Sequence, residues 1–289
     1  SSHSAKGLKA GSELVISGGG SDIHSSDDPL HCNGTMHLHN GTYLIQTGDD
    51  GVHADGALTI DGGFITIEKS YEGLEGLSVT ISGGDIQVTA SDDGVNASGG
   101  SDTAMPGRPG QNTFKSAADS DMFIRITGGT LTVNASGDGL DSNGNLYMEG
   151  GTVYVSGSSS DGNSALDYDG SAQVTGGTII AAGMSGMAQG FSTSSAQCSV
   201  LYSFSSTLPA GTAVTLTDSQ GNTLAPYSPP KSYHCVAIRG PQMIQGETYT
   251  LSAGNQSQSI TLSAMVTTQG NSGMGGGGMG GQQPGVGRW

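Results

Sequence analysis

The sequence predicts an all-β fold whose main part is a parallel β-helix, a solenoid built from coils of about 22 residues. Three observations predict this fold: a short motif recurs at a nearly constant interval, apolar residues alternate around it, and the composition is rich in glycine. The chain of 289 residues has 51 glycines, 34% hydrophobic residues and 5% aromatic residues. This composition suits a solenoid, because each coil buries only a narrow strip of side chains.

The recurring motif is a short apolar segment that ends in glycine. Its copies are LVISGG, MHLHNG, LTIDGG, VTISGG, IRITGG, LYMEGG and AQVTGG, which end at Gly19, Gly41, Gly63, Gly84, Gly129, Gly151 and Gly177. Successive copies are 22, 22, 21, 45, 22 and 26 residues apart. The interval of 45 is two periods, or one period plus an insertion. We interpret it as a coil with a Pro/Gly-bearing loop over residues 99–121.

Two short strands flank each glycine pair, and their apolar residues alternate so that one face points inward. Examples of this face are Leu58, Ile60, Ile65, Ile67, Val79, Ile81, Ile86, Val88, Leu146, Met148, Val153 and Val155. A third apolar position follows each acidic turn, at Leu30, Val52, Leu74, Val95, Leu140 and Leu166. Three inward segments per period predict a parallel β-helix, whereas the alternative, a β-sandwich, predicts strands without a constant period.

The period divides the chain into three parts. The β-helix is expected over residues 1–195, and a small antiparallel β unit that caps the last coil is expected over residues 196–266. Residues 267–289 are Gly/Met-rich and are expected to be a flexible tail.

The three cysteines leave two possibilities open. Cys198 and Cys235 pair in a disulfide if the protein is secreted, or Cys32, Cys198 and Cys235 are all small buried thiols.

The net charge of −16, from 9 basic and 25 acidic residues, argues against binding to nucleic acid or to an anionic membrane surface. No stretch reaches the roughly 18 to 20 apolar residues that a transmembrane helix requires. The sequence therefore predicts a soluble chain without membrane insertion, expected to be a monomer. Its acidic surface favours cation binding or an extracellular setting.

Acidic and polar residues recur at one corner of the predicted coils. Aligning the coils by the repeat gives a first column of Asp27/Asp28, Asp49/Asp50, Tyr71/Glu72, Asp92/Asp93, Gly137/Asp138 and, further on, Asp161. The second column is His31, His53, Glu75, Asn96, Asp141 and, allowing an insertion, Asp167. A third column, Asn33, Asp55, Ser98, Asn143 and Asp169, is interpreted as ordinary turn residues.

For the first two columns, turn preference is a weaker explanation. A turn needs a single Asp, and the segment YEGLEG replaces Asp with Glu72 and Glu75, which have no turn preference. Adjacent coils lie about 4.7 to 4.9 Å apart, so an ion between them contacts carboxylates of both at calcium–oxygen distances of about 2.3 to 2.6 Å. The sequence therefore predicts several calcium ions, with magnesium the second choice.

The predicted ligands are Asp27, Asp28, Asp49, Asp50, Glu72, Glu75, Asp92, Asp93, Asn96, Asp138, Asp141 and Asp161. His31 and His53 stack in one column, which is compatible with a transition-metal site. We favour the interpretation that they are exposed polar residues on an outward corner.

The stretches GDDGVHADGALTIDGG, KSYEGLEG, ASDDGVNASGG, ASGDGLDSNG, ALDYDG and GMGGGGMGG resemble a bacterial family of carbohydrate-binding domain proteins over about residues 12 to 281. These are calcium-binding, right-handed parallel β-helices similar to the pectate lyases of polysaccharide lyase family nine. The resemblance implies an exported or surface-anchored protein that binds cellulose-like glucans and acidic galacturonans, with calcium in the acidic turns. Cys32 departs from the family, whose members commonly carry Ser or Ala there.

Three functions are compatible with these residues. A non-catalytic polysaccharide-binding protein is favoured, with Phe64, Tyr147, Tyr154 and Lys69 as candidate ligand-binding residues. A calcium-dependent lyase would use a base beside the acidic corner; Lys69 is the first candidate, and Lys115 and Arg125 are next. A calcium-stiffened surface stalk would need no ligand, although about seven coils make a short stalk.

Overall fold

The computed structural model describes residues 5–98 and 121–270, and all the regular structure in these ranges is β-strand. A solenoid of about seven coils with a spacing of about 22 residues precedes a separate antiparallel sheet, which confirms the predicted fold class. Within the same ranges no helix is long and apolar enough to cross a membrane.

The solenoid comprises nineteen strands that form three faces. The strands are β1 Leu8–Ala10, β2 Glu13–Ile16, β3 Gly20–His24, β4 Leu30–Cys32, β5 Thr35–Leu38, β6 Thr42–Gln46, β7 Val52–Ile60, β8 Phe64–Ser70, β9 Leu74–Ile81, β10 Asp85–Ala90, β11 Val95–Ala97, β12 Phe123–Ile126, β13 Thr130–Ala135, β14 Leu140–Ser142, β15 Asn145–Met148, β16 Thr152–Ser156, β17 Leu166–Tyr168, β18 Ala172–Val174 and β19 Thr178–Gly183.

Each coil contributes one segment to each face. The first face stacks β1, β4, β7, β9, β11, β14 and β17, and the second stacks β2, β5, β7, β9, β12, β15 and β18. Strands β7 and β9 are long enough to belong to both faces. The third face stacks β3, β6, β8, β10, β13, β16 and β19. Pairing between coils is parallel and follows the sequence repeat, as in Val52 opposite Leu74.

The core is a set of apolar columns inside the three faces. On the third face, Ile65, Ile86, Leu131, Val153 and Ile179 stack in register, and each is at most 1% exposed. Similar columns line the other two faces. Burial of each such side chain contributes roughly 1.5 to 3 kcal/mol, so the predicted inward positions supply the main stabilisation of the solenoid.

The second glycine of each pair has a backbone conformation that other residues rarely adopt. Gly63, Gly84, Gly129 and Gly151 have φ values of 93°, 92°, 75° and 75°. They also stack closely: a Cβ at Gly84 would lie 2.9 Å from the carbonyl oxygen of Gly63. The regular glycines that reveal the repeat are therefore required by both φ and the close approach of neighbouring coils.

The C-terminal unit contains seven strands. They are β20 Ser199–Leu208, β21 Val214–Thr217, β22 Thr223–Tyr227, β23 Tyr233–Arg239, β24 Thr248–Ala253, β25 Gln256–Thr261 and β26 Val266–Gly270. Strand β23 pairs antiparallel with β19, β20 follows β23, and β26 follows β20. The unit thus covers the edge of the third face at the last coil, while β22, β21, β24 and β25 form the separate antiparallel sheet.

Two details concern the cysteines and the predicted tail. All three cysteines are buried free thiols, which is the second of the two possibilities that the sequence left open; Cys198 Sγ lies 3.9 Å from Met265 Sδ and Cys235 Sγ lies 3.5 Å from Ser203 Oγ. Within the tail expected over residues 267–289, the first residues belong to β26, which continues to Gly270 and pairs with β20. The rest of that tail lies outside the described residues, as does the predicted loop insertion except for Asp121.

We expect Gly84→Ala to lower the free energy of unfolding by about 1 to 3 kcal/mol, since alanine would be strained at this φ and would contact Gly63. Gly20→Ala is the matched control, because a Cβ at Gly20 meets nothing within 4 Å. Chemical denaturation measures both variants. Equal stability of the two would contradict the role assigned to the stacked glycines.

Candidate functional site

The acidic turns stack beside the first face, in a region that we call the acidic corner. It comprises the column of Asp28, Asp50, Glu72, Asp93 and Asp138 and the column of His31, His53, Glu75, Asn96, Asp141 and Asp167. Strand pairing places the second column in register from coil to coil, with Lys9 before His31. This register agrees with the alignment made from the sequence, including the position of Asp167.

The aspartates of the first column have a structural role that sequence reasoning missed. The main-chain N–H of Asp50 donates to Asp28 Oδ1 at 3.1 Å, and that of Glu72 donates to Asp50 Oδ1 at 3.2 Å. Likewise the N–H of Asp138 donates to Asp93 Oδ1 at 2.6 Å. Each of these carboxylates therefore joins its own coil to the next one through one oxygen and keeps the other oxygen for a second partner.

Lys6 supplies a positive charge at the N-terminal end of the corner. Its Nζ lies 2.8 Å from Asp27 Oδ1, 2.5 Å from Asp28 Oδ2 and 3.0 Å from His31 Nδ1, and its side chain is only 8% exposed. Burial alone would raise the pKa of Asp28, but the hydrogen bonds from His31 and Lys6 hold it below its ordinary value. Lys6 was not predicted, although it precedes Asp28 by one repeat of 22 residues.

His53 supplies the next positive charge. Its Nδ1 faces Asp50 Oδ2 at 3.3 Å and also contacts Glu75 Oε2, while its Nε2 lies 3.0 Å from Asp55 Oδ1. Burial would lower the pKa of His53, yet the hydrogen bonds to Asp50 and Glu75 raise it to about 12. His53 is therefore an imidazolium at neutral pH, and it pairs with the carboxylates around it.

The expectation that His31 and His53 are exposed is wrong. Both are buried, at 0% and 2% exposure, and their rings stack with centroids 4.9 Å apart. Their side chains lie within the acidic corner because the surrounding carboxylates provide hydrogen-bond partners there. Asp55, assigned to the turn alone, contacts His53 and also accepts from Asn33 Nδ2 at 3.3 Å.

The C-terminal half of the corner lacks such counter-charges. Among the described residues, no Lys, Arg or His forms an ion pair with Glu72, Asp93, Asp138 or Asp141. Burial, followed by repulsion from neighbouring carboxylates, raises the pKa of Asp141 to about 8, and that of Asp93 to about 7 despite a main-chain hydrogen bond. The same causes raise the pKa of Glu72. Burial and mutual repulsion therefore disfavour the ionised form of these carboxyls, and an added positive charge would favour it.

The donor atoms at the centre of the corner fit an oxygen-binding cation. Asp50, Glu72 and Glu75 each offer a carboxylate oxygen, and these atoms lie within 4.8 Å of one another. Asn96 Nδ2 donates to Glu72 Oε2 at 2.7 Å, whereas the buried Asn96 Oδ1 accepts no hydrogen bond from any residue that the structure describes. A buried acceptor without a donor, beside three carboxylates, matches the ligand preference of calcium.

Four other predicted ligands lie at or beyond the margin of these columns. Asp27 and Asp49 form a cluster with Asp28 at the N-terminal end. Asp161 is outside the corner: it is exposed and its Oδ1 accepts from the N–H of Gly186 at 2.9 Å. Ser164 takes the expected place instead, because its N–H donates to Asp138 Oδ1. The extra residues that make the last interval 26 displace Asp161. Asp92 accepts a hydrogen bond from the Tyr71 hydroxyl, which raises the pKa of Tyr71.

Arg125 and Tyr147, predicted separately, lie together on the outward side of the second face. The guanidinium carbon of Arg125 is 4.4 Å from the ring centroid of Tyr147 and 5.5 Å from that of Phe123, which was not predicted. Arg125 also forms an ion pair with Glu149 in the next coil. We call Phe123, Arg125 and Tyr147 the aromatic–arginine patch.

The remaining candidates do not join this patch. Phe64 is 62% exposed and lies on the third face, whereas Tyr154 stacks on Tyr227 of the C-terminal unit with centroids 5.0 Å apart and is therefore partly covered. Lys69 is exposed and lines an open cleft together with Lys6 and Thr47. Lys115 lies outside the described residues.

Comparison with known proteins gives one partial match. Residues 1–51 match the sequence model of a family described as carbohydrate-binding domain-containing proteins. This segment includes Lys6, Asp28 and Asp50, and thus the N-terminal end of the acidic corner. Comparison with curated proteins and with solved structures gave no match. The family match suggests carbohydrate binding and covers less than a fifth of the chain.

We expect Lys6→Met to lower the free energy of unfolding by about 1 to 3 kcal/mol at pH 7, because it leaves the buried Asp28 without one of its donors. Lys9→Met is the matched control, since Lys9 lies in the same N-terminal segment but is exposed. Chemical denaturation in the absence of divalent ions measures both. A loss of stability in Lys9→Met as large as that in Lys6→Met would contradict the role assigned to Lys6.

Without divalent ions, we expect stability to fall as pH rises from about 4 to about 8. Folding raises the pKa of Asp93 to about 7 and of Asp141 to about 8. Unfolded Asp has a pKa of about 3.9, so the folded chain holds more protons in this window, and deprotonation then favours unfolding.

Asp141→Asn should reduce this fall and stabilise the chain at pH 8 by an amount on the order of 2 kcal/mol, since one pKa unit corresponds to about 1.4 kcal/mol. Thermal unfolding in EDTA across this pH range is the measurement. Glu247→Gln, which replaces an exposed carboxylate of the C-terminal unit, is the control. A pH profile of Asp141→Asn that overlays the wild type would contradict the electrostatic argument.

Proposed function

We propose that this protein binds polysaccharide without cleaving it, through the outward side of the second face, and that calcium in the acidic corner supports this binding. The observation that carries the proposal is the aromatic–arginine patch, a cluster of two aromatic rings and a guanidinium on the outside of the solenoid. The match of residues 1–51 to carbohydrate-binding domain-containing proteins supports the same class of ligand.

The patch offers two kinds of contact to a sugar. Tyr147 and Phe123 are partly exposed, and their rings present apolar surface on which a sugar ring can pack. The Arg125 guanidinium presents donors to sugar hydroxyls and, more strongly, to the carboxylate of a uronic acid. Both contacts lie on consecutive coils, so an extended chain running across the coils would meet them in turn.

Calcium is proposed at Asp50, Glu72 and Glu75, with Asn96 Oδ1 as an additional oxygen donor. A bound divalent ion supplies positive charge between coils and removes the repulsion that otherwise keeps buried carboxyls protonated. Further ions are proposed where Asp93, Asp138 and Asp141 gather. Bound calcium also makes the net charge of −16 less negative and so weakens the repulsion of an acidic polysaccharide.

The ligand class that we propose is a plant cell-wall polysaccharide, either an acidic galacturonan or a cellulose-like glucan. An acidic galacturonan uses Arg125 and the calcium ions, whereas a neutral glucan depends on the aromatic rings alone. The setting that we propose together with this ligand is an exported or surface-attached bacterial protein that acts as a monomer.

The lyase alternative requires a base close to a metal-bound uronate. Lys69 borders an open cleft that also contains Lys6, so this cleft is where such a reaction would be sought. Arg125 does not serve as a base there, because it lies on the second face and is paired with Glu149. Among the candidate bases that the structure describes, the lyase alternative therefore rests on Lys69, and product formation decides it.

Affinity gel electrophoresis with polygalacturonate and with a neutral glucan, each in calcium and in EDTA, tests the proposal. We expect calcium-dependent retardation by polygalacturonate and a loss of affinity of about tenfold in Tyr147→Ala, equivalent to about 1.4 kcal/mol. Arg125→Gln should weaken binding to polygalacturonate more than binding to the glucan, because it removes the contact to the uronate carboxylate.

Phe64→Ala is the matched control, since Phe64 is the exposed aromatic of a different face. Absorbance of unsaturated product is followed in the same samples. Product that disappears in Lys69→Ala would establish the lyase instead, and unchanged affinity in both Tyr147→Ala and Arg125→Gln would remove the patch from the binding site.

A further inference from the structure

A second cluster of metal-ligating side chains lies on the outward side of the second face, away from the acidic corner. It consists of His37 in β5, His39, which directly follows β5, and Asp61, which directly follows β7; we call it the His–Asp cluster. The two histidines are two residues apart, and both rings lie on the same side, where they contact the Asp61 carboxylate. Asp61 lies one coil further on, beside His39, and its N–H donates to Leu38 O at 3.0 Å.

The three side chains converge on one point. Asp61 Oδ2 lies 3.0 Å from His37 Nε2 and 2.9 Å from His39 Nδ1. The two imidazole rings approach to a centroid separation of 3.7 Å. Each of the three side chains is exposed by 35 to 41%, so the point of convergence is open to solvent. One nitrogen of each ring and one carboxylate oxygen are thus gathered where an ion from solution can reach them.

We propose that His37, His39 and Asp61 bind a divalent transition-metal ion of the zinc type. Two imidazole nitrogens and one carboxylate oxygen, all within 4.8 Å of one another, match the three protein ligands of an open zinc site, whose remaining position is taken by water. Binding needs no oxidant or reductant. The protons on His37 Nε2 and His39 Nδ1 are lost from those atoms, and each neutral ring carries its proton on the other nitrogen.

The donor set separates this site from the acidic corner. Nitrogen donors favour zinc, nickel and copper, whereas the carboxylate and amide oxygens of the corner favour calcium and magnesium. The strand neighbours of His37 are Val15 and Thr59, neither of which is charged. No described Lys or Arg pairs with Asp61, which keeps its charge available to the ion.

A pair elsewhere on the surface provides a natural comparison. His24 Nε2 lies 3.1 Å from Asp22 Oδ1, and both side chains are well exposed, but the contact contains only one imidazole. A single histidine and a single carboxylate make two protein ligands, which is fewer than the three of an open zinc site. The His–Asp cluster differs from this pair by its second imidazole, so the comparison isolates the feature on which the proposal rests.

The test is calorimetric titration of the whole chain, free of any histidine tag, with zinc chloride. Excess calcium is present to occupy oxygen sites in the acidic corner. We expect a zinc ion to bind to the wild type and the affinity to fall by about 100-fold or more in His37→Gln and in His39→Gln, since loss of even an indirect partner of a metal costs about 10- to 100-fold. Asp61→Asn should weaken binding in the same direction.

His24→Gln is the matched control and should bind zinc as the wild type does. Circular dichroism checks that each variant is folded, which is expected because the substituted side chains are exposed. Wild-type zinc affinity in both His37→Gln and His39→Gln, or no zinc binding by the wild type, would overturn the proposal. Because polysaccharide binding is not measured in this titration, its outcome is independent of the proposed function.

Discussion

Parallel hydrogen bonding between successive coils is the constraint on which the rest of the structure depends. It holds equivalent residues about 4.8 Å apart, and it does so in the same register over the whole solenoid. A residue type that suits one coil therefore meets its own equivalent above and below. This is favourable for apolar side chains, such as Ile65 on Ile86, but it brings like charges together wherever the repeated residue is acidic.

In the acidic corner, hydrogen bonds and neighbouring cations reduce the repulsion between stacked carboxylates. Main-chain N–H groups of the following coil take one oxygen of Asp28, Asp50, Asp93 and Asp138. The carboxylates also need positive charge nearby, which Lys6 and His53 provide in the N-terminal coils. Towards Asp141 the chain supplies no such cation among its described residues, and burial then raises the pKa of the carboxyls. The corner thus contains its own cations at one end, whereas at the other end its carboxyls have raised pKa values and form no ion pair with a described Lys, Arg or His.

The sequence predicted the fold and the register because both follow from periodicity. Gly84 and Leu74, for example, are placed correctly by counting residues. Counting did not reveal Lys6, because it precedes the first complete copy of the motif. It also did not reveal that His31 and His53 are buried, since both lie in strands beside the acidic turns and periodicity gives the position of a residue without the direction of its side chain.

Other differences arise from contacts that no repeat encodes. Tyr154 is outward-facing as expected, yet Tyr227 from the C-terminal unit covers it. Arg125 lies one period before Tyr147, so the repeat places β12 beside β15, but it does not show that the guanidinium lies over the ring. The hydrogen bonds from main-chain N–H groups to Asp were not predicted either. Asp is common in turns, so its presence did not distinguish a turn residue from a link between coils.

Those links have a consequence for how such a solenoid can change in length. Each linking aspartate accepts a hydrogen bond from a main-chain N–H of the next coil, and every residue except proline has such an N–H. A coil duplicated within the stack would therefore bring its own acceptor and find a donor already in place. Ser164, which donates its N–H but has no carboxylate to offer, ends the series. Growth by duplication would therefore preserve the geometry of the corner, while every added coil would also add negative charge and increase the need for cations from outside.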